Sequence, residues 1–190
     1  QLACARWIDV RAFGQVFAFK KGKKAEADEG DAVSVGIRGP VSIQSAFSIE
    51  PVSITSLQIT KSVNLETGAD PDKKGADTMG MKHRVDSGTY VAYGAINVQL
   101  AEKTGFSEED AERIKEALRT LFVNDETSAR PAGSMEVVKL FWWKHNCSTG
   151  QYSSARVHRS LHISQGKQNG ELSLTLDPLP GLNVEELEGE

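Results

Sequence analysis

Apolar and polar residues alternate with a period of two along several stretches of this chain, and one stretch alone repeats at a helical period. From Ile8 to Phe19 the sequence IDVRAFGQVFAF alternates and then stops in KKGKK, which predicts a strand followed by a charged loop to about Gly36. Ahead of it, LACARWIDV reads as the end of a helix entering that strand. From Val41 to Ile49, residues Val41, Ile43, Ser45, Phe47 and Ile49 fall on one face, with Ser42, Gln44, Ala46 and Ser48 on the other. Pro51 closes that strand, and VSITSLQITKSV continues as a further β-rich segment. The stretches SGTYVAYGAINVQLA (87–101), EVVKLFWWK (136–144) and RVHRSLHIS (156–164) predict three more strands. Trp142 and Trp143 then point to opposite faces, so one of them is core.

The helical stripe lies between these strands. Ser107 is placed to cap it, Glu108, Glu109 and Asp110 favour its positive end, and Ala111, Ile114, Leu118, Leu121 and Phe122 form one apolar face. Two segments lack periodicity. Residues 61–86 are polar and charge-balanced, with five Lys/Arg and five Asp/Glu, and predict a long loop insertion. Residues 165–190 predict an acidic tail that docks weakly or not at all. The order strands, long loop, strand, helix, strand would complete a split β-α-β pattern if a strand and a helix preceded it. The expectation is therefore an α+β fold: a single ferredoxin-like, RNA-recognition-motif-like domain over residues 1–164 with an insertion at 61–86. Tyr90 and Tyr93 are three apart, so they cannot form the single aromatic stacking platform usual in that module.

Composition narrows the class. With 39% apolar and 25% charged residues over 190 positions, the chain suits an ordinary globular domain. It has no apolar run long enough to cross a membrane as a helix. The net charge of −4 hides an asymmetry: residues 1–24 carry six Lys/Arg against one acid, residues 130–170 the same, and residues 171–190 six acids and no base. A set of solvated faces explains this, and so does a basic surface with its acidity displaced to a helix and a tail. Cys4 and Cys147 lie far apart outside any CxxC pair, which fits a reducing, cytoplasmic setting. His83, His145, His158 and His162 show no zinc-ligand spacing. On one strand face His158 and His162 would stand about 13 Å apart, so no metal or other cofactor is expected.

The stretch IRGPVSIQSAFSIEP, residues 37–51, sets small hydroxyls and amides behind an arginine, with no histidine among them and no acid before Glu50. A catalytic strand usually carries a titratable group, whereas a strand that lies along a sugar–phosphate backbone needs none. Taken in order, IDVRAFGQVFAF, GIRGPVSIQSAFSIEPV, TMGMKHRVDSGTYVAYG and LAEKTGFSEEDAERIKEAL resemble the CRISPR-associated backbone subunit of type I-C Cascade, the Cas seven family in its I-C branch. The resemblance runs colinearly over roughly residues 5–163, and it rests on the combination of RGPV, the MKH near a Tyr-bearing strand, and the GFSEED helix start. The family also has a first strand with an Asn-Gly-Asp-type motif and a following helix. Neither is in this sequence, so the palm is expected to lack them.

The resemblance implies a non-catalytic protein whose subunits polymerise in a helical filament along a CRISPR RNA, beside other Cascade subunits. Target DNA is then recognised through guide pairing. Such a protein must hold any guide and so reads backbone, not bases. On that footing Arg38 offers a fork to phosphate, Gly39 a close approach of RNA to the main chain, and Gln44, Ser45 and Ser48 hydrogen bonds to phosphate or ribose. Lys82, His83 and Arg84, at the end of the long loop, and the flexible Lys20 and Lys21 are further phosphate contacts. The bland alternatives stay open: a solvent-facing strand edge for the amides and hydroxyls, and a solvated loop for the cations. The same implication makes 61–86 a thumb reaching toward neighbouring subunits and RNA, with Met79 and Met81 at its base. Two rival classes remain. One is a metal-independent CRISPR repeat-processing endoribonuclease, using His83, Lys82 and Tyr90. The other is a protein-interaction domain with no RNA role.

Overall fold

A helix, not a strand, occupies the stretch beginning at Ile8. The computed structural model describes residues 2–18, 34–60, 79–166 and 171–190. Helices α1 (Leu2–Arg6) and α2 (Ile8–Phe13) come first, and the expected strand starts only at Gly14 as β1 (Gly14–Ala18). Six alternating residues satisfy either period, and docking decides between them: Val10 and Ala12 are buried on α2. Gly14 stops the helix with φ 84° and ψ 174°, a conformation that excludes most side chains. β1 pairs antiparallel with β2 (Ser34–Arg38), Gly14 lying opposite Arg38.

The single strand expected over 41–49 is two. β3 (Val41–Ile43) and β4 (Phe47–Ser48) flank residues 44–46, which belong to no strand, and take different partners. β5 (Ile54–Thr60) and β6 (Met79–Val85) form a seven-residue antiparallel ribbon, with Ile54 opposite Val85 and Thr60 opposite Met79. Residues 79–85, expected within a loop, are thus strand; residues 61–78 lie outside the described residues. β7 (Tyr90–Val91) pairs with β4 and β8 (Gly94–Ile96) with β3. The strand expected from 87 to 101 ends early because the Asn97 side chain accepts the Leu100 N–H at 2.9 Å and caps α3 (Val98–Thr104).

Helix α4 (Glu108–Arg119) follows as expected, with a full capping box between Ser107 and Asp110; Leu121 and Phe122 fall just past its end. After β9 (Lys139–Trp143) comes α5 (Ser154–Arg159), where a strand was expected. Its cap, the Ser153 hydroxyl, accepts the Arg156 N–H, and β10 (Leu161–Gln165) starts only beyond Ser160. His158 and His162 therefore share no strand face. β11 (Leu172–Leu176) pairs with β10, and β12 (Val184–Glu188) pairs with β9. The segment expected as a loosely docked tail supplies two strands, because the β9 edge gives β12 a full five-residue ladder from Val184–Trp143 to Glu188–Lys139.

Among the described residues every sheet has two strands, and the fold is mixed α/β of the α+β kind. The chain divides into two compact units: Gln1–Gln44 with Tyr93–His162 and Thr175–Glu190, and Ser45–Ala92 with Ile163–Leu174. The first unit holds a small core of Ala12, Val41 and Phe106, against which Ile96, Ala101, Ala111 and Ile114 pack. Burying side chains such as Val41 and Phe106 stabilises by about 1.5–3 kcal/mol each. Beside this core Arg11 donates Nε–H to Asp110 Oδ2 at 2.7 Å and Nη2–H to Oδ1 at 2.6 Å, clamping α2 to the start of α4. No described helix is long and apolar enough to cross a membrane.

Candidate nucleic-acid interface

In the first unit the candidate residues sit on the short segment that leaves β2 and runs through β3. Arg38 ends β2 with its side chain exposed, and among the described residues it has no hydrogen-bond or ion-pair partner. Gly39 is spoken for within the protein. A Cβ at that position would fall onto the Ala12 carbonyl and the Phe13 backbone, so close packing against the end of α2 already requires glycine there. Gly14 packs reciprocally, its virtual Cβ meeting Gly39 N at 2.6 Å and Arg38 Cα at 3.1 Å. The two glycines let the turn after α2 and the end of β2 cross, and that crossing sets where Arg38 leaves the fold. Gln44 follows β3 with its side chain exposed, while its backbone N–H is held by the Tyr93 carbonyl at 2.7 Å.

In the second unit Ser45 is exposed and Ser48, half-buried, stands opposite Tyr90 in the β4–β7 pair. Lys82, His83 and Arg84 are consecutive on β6, and alternation splits them. Lys82, opposite Leu57, and Arg84, opposite Thr55, share one face of the ribbon. His83, opposite Ser56, takes the other face with Met79 and Met81. His83 Nδ1 lies 2.8 Å from Ser56 Oγ, which orients the ring. Arg84 pairs with Asp86 at 3.2 Å, and Asp86 also accepts from Thr55 at 2.8 Å. The Thr55 hydrogen bond first, with Arg84 and Ser53 behind it, holds the Asp86 carboxyl below its ordinary range. Arg84 is therefore partly committed inside the protein, and a phosphate would compete with Asp86 for it. Every residue of β6 is exposed, including Met79 and Met81, so the ribbon presents cations on one face and thioethers on the other without a core of its own. Lys20 and Lys21 lie outside the described residues.

The sequence left a further group unassigned. The His158 imidazole on α5 stacks on the Tyr93 ring at 4.5 Å between centroids and 18° between planes. The Arg156 guanidinium lies over the Tyr152 ring at 4.7 Å, and the Tyr152 hydroxyl donates to the Pro180 carbonyl at 2.8 Å. The signal was present as the basic run RVHR, but a strand reading scattered these side chains over two faces. His162 instead pairs with Asp177 at 2.9 Å. Among the described residues, no group of three or more His, Cys, Asp or Glu side chains is gathered in a way that could hold a metal ion.

These features define a class: a mixed α/β protein of small antiparallel sheets whose candidate residues are exposed cations, amides and hydroxyls. More particularly, the chain belongs to the Cas7 family of CRISPR-associated proteins, whose model, described as CRISPR-associated protein Cas7, matches residues 1–176. No curated protein gives a significant match to it.

Proposed function

We propose that this Cas7-family chain is a non-catalytic, CRISPR RNA-binding backbone subunit of a type I-C Cascade. It works in the cytoplasm, with the first unit serving as the ferredoxin-like palm. Identical subunits polymerise along the guide beside other Cascade subunits, and target DNA is read by pairing to that guide. Family membership across residues 1–176 carries this reading. The exposed Arg38, Gln44, Ser45 and Lys82 support it, since they are groups that hold a sugar–phosphate backbone without selecting bases.

The test is filter binding of CRISPR RNA at two salt concentrations and with several guide sequences. Five phosphate contacts, from Arg38, Lys82, Arg84, Lys20 and Lys21, contribute about −3.5 to the salt slope, so affinity should fall by roughly 100-fold or more between about 50 and about 200 mM salt. Affinity should be nearly the same for every guide of one length, and repeat RNA held with the protein in EDTA should stay intact. A strong preference for one guide sequence would contradict the backbone role. Cleavage that disappears in His83→Ala would establish the endoribonuclease instead.

A further inference from the structure

We propose that the surface formed by Gln44, Tyr93 and helix α5 is a nucleotide-binding face for single-stranded RNA, in which the Tyr93–His158 stack receives a base and Arg156 and Arg159 take the flanking phosphates. The inference rests on the RNA-binding reading above and adds a specific subsite to it. Its residues are tied together by bonds within the first unit. The Tyr93 carbonyl holds the Gln44 N–H at 2.7 Å, and the Tyr93 ring carries His158 at 4.5 Å. Buried Val157 and Ser160 fix α5 from beneath, which turns Arg156 and Arg159 outward; both are exposed.

The chemistry fits one ligand class. Tyr93 and His158 are each half-buried, so part of their ring pair stays open, and a planar base extends such a stack whatever its identity. Arg156, its guanidinium 4.7 Å from the Tyr152 ring centroid, is exposed and carries the planar fork that serves phosphate. Arg159 has no partner among the described residues. Gln44, at the end of β3, can both donate to and accept from a ribose hydroxyl, the group that separates RNA from DNA. No carboxylate is hydrogen-bonded or ion-paired to Arg156, His158 or Arg159 among the described residues, unlike Arg84 with its Asp86.

The experiment compares oligouridine with a ribose–phosphate strand of equal length that lacks bases. Wild-type protein should bind oligouridine roughly tenfold tighter. Tyr93→Leu should erase that ratio and Tyr93→Phe should retain it. Arg156→Gln with Arg159→Gln should keep the ratio and lower the salt slope by about 1.4, the effect of two lost phosphate contacts. Circular dichroism checks that each variant folds, and if Tyr93→Leu does not, the arginine pair, on exposed side chains, decides. Wild-type protein that binds neither strand sinks the RNA reading as a whole. Wild-type protein that binds both strands equally, or an arginine variant with an unchanged slope, overturns the α5 face alone.

Discussion

Asp110 accepts two N–H groups from Arg11 and the backbone N–H of Ser107 at 3.0 Å, while its own N–H is held by the Ser107 hydroxyl at 3.2 Å. It is almost fully buried, and the Arg11 hydrogen bond, followed by that of Ser107, lowers its pKa from 3.8 to about 2. A carboxyl depressed on folding contributes stability that is complete above its unfolded pKa. That contribution drains away as pH falls from 3.8 through about 2. The shift corresponds to about 2 kcal/mol. Removing the charge leaves Arg11 desolvated without its counter-ion, so Asp110→Asn should cost roughly 3 kcal/mol at neutral pH. Urea unfolding of both proteins at pH 7 and near pH 2 checks this: the gap should be wide at the first and nearly closed at the second. Equal midpoints at pH 7 would show that the clamp does not hold α2 in place.

Elements of one or two turns are where local pattern ran out. Helix α4 was legible because it carries its own evidence: a Ser cap, three acids in the first turn and an apolar stripe long enough to show its period. Helices α2 and α5, of six residues each, do not. Over such lengths the two periods place apolar residues almost identically, and what selected helix was remote: Asp110 for Arg11, Tyr93 for His158. The β5–β6 ribbon shows the reverse. Its polar, exposed second strand has no apolar alternation to betray it, so Lys82, His83 and Arg84 looked like one basic cluster when pairing divides them between two faces. A phosphate bound on the Lys82–Arg84 face is then out of reach of His83. The effect of His83→Ala on RNA affinity should add to that of Lys82→Gln with Arg84→Gln within about 0.5 kcal/mol. Marked non-additivity in this double-mutant cycle would mean that one ligand group contacts both faces.

At the scale of the molecule, the acids read as a solvated tail are matched to bases elsewhere in the chain. Glu185 meets Lys115 at 2.8 Å, Glu190 meets Arg119 at 2.8 Å, and Glu188 meets Lys139 at 3.0 Å. Local sequence could not show this, since the partners lie 49 to 71 positions away, a separation visible only once β12 is seen beside β9. Exposed ion pairs contribute about 0–1 kcal/mol each, whereas the ladder and the cover over β9 contribute more. Removing residues 183–190 should therefore lower the thermal midpoint by about 5 °C or more, at about 2–4 °C per kcal/mol. High salt on the intact chain should reproduce only a small part of that drop. An unchanged midpoint after truncation would restore the loosely docked tail. The same pairing also dictates a schedule. As the chain leaves the ribosome, α2 has no clamp until Asp110 emerges, and the backbone edge of β9, among the described residues, has no ladder partner until residues 184–188 have cleared the exit. Throughout that interval the β9 edge keeps its backbone groups open to pairing with other chains, and the arrival of β12 is what closes it.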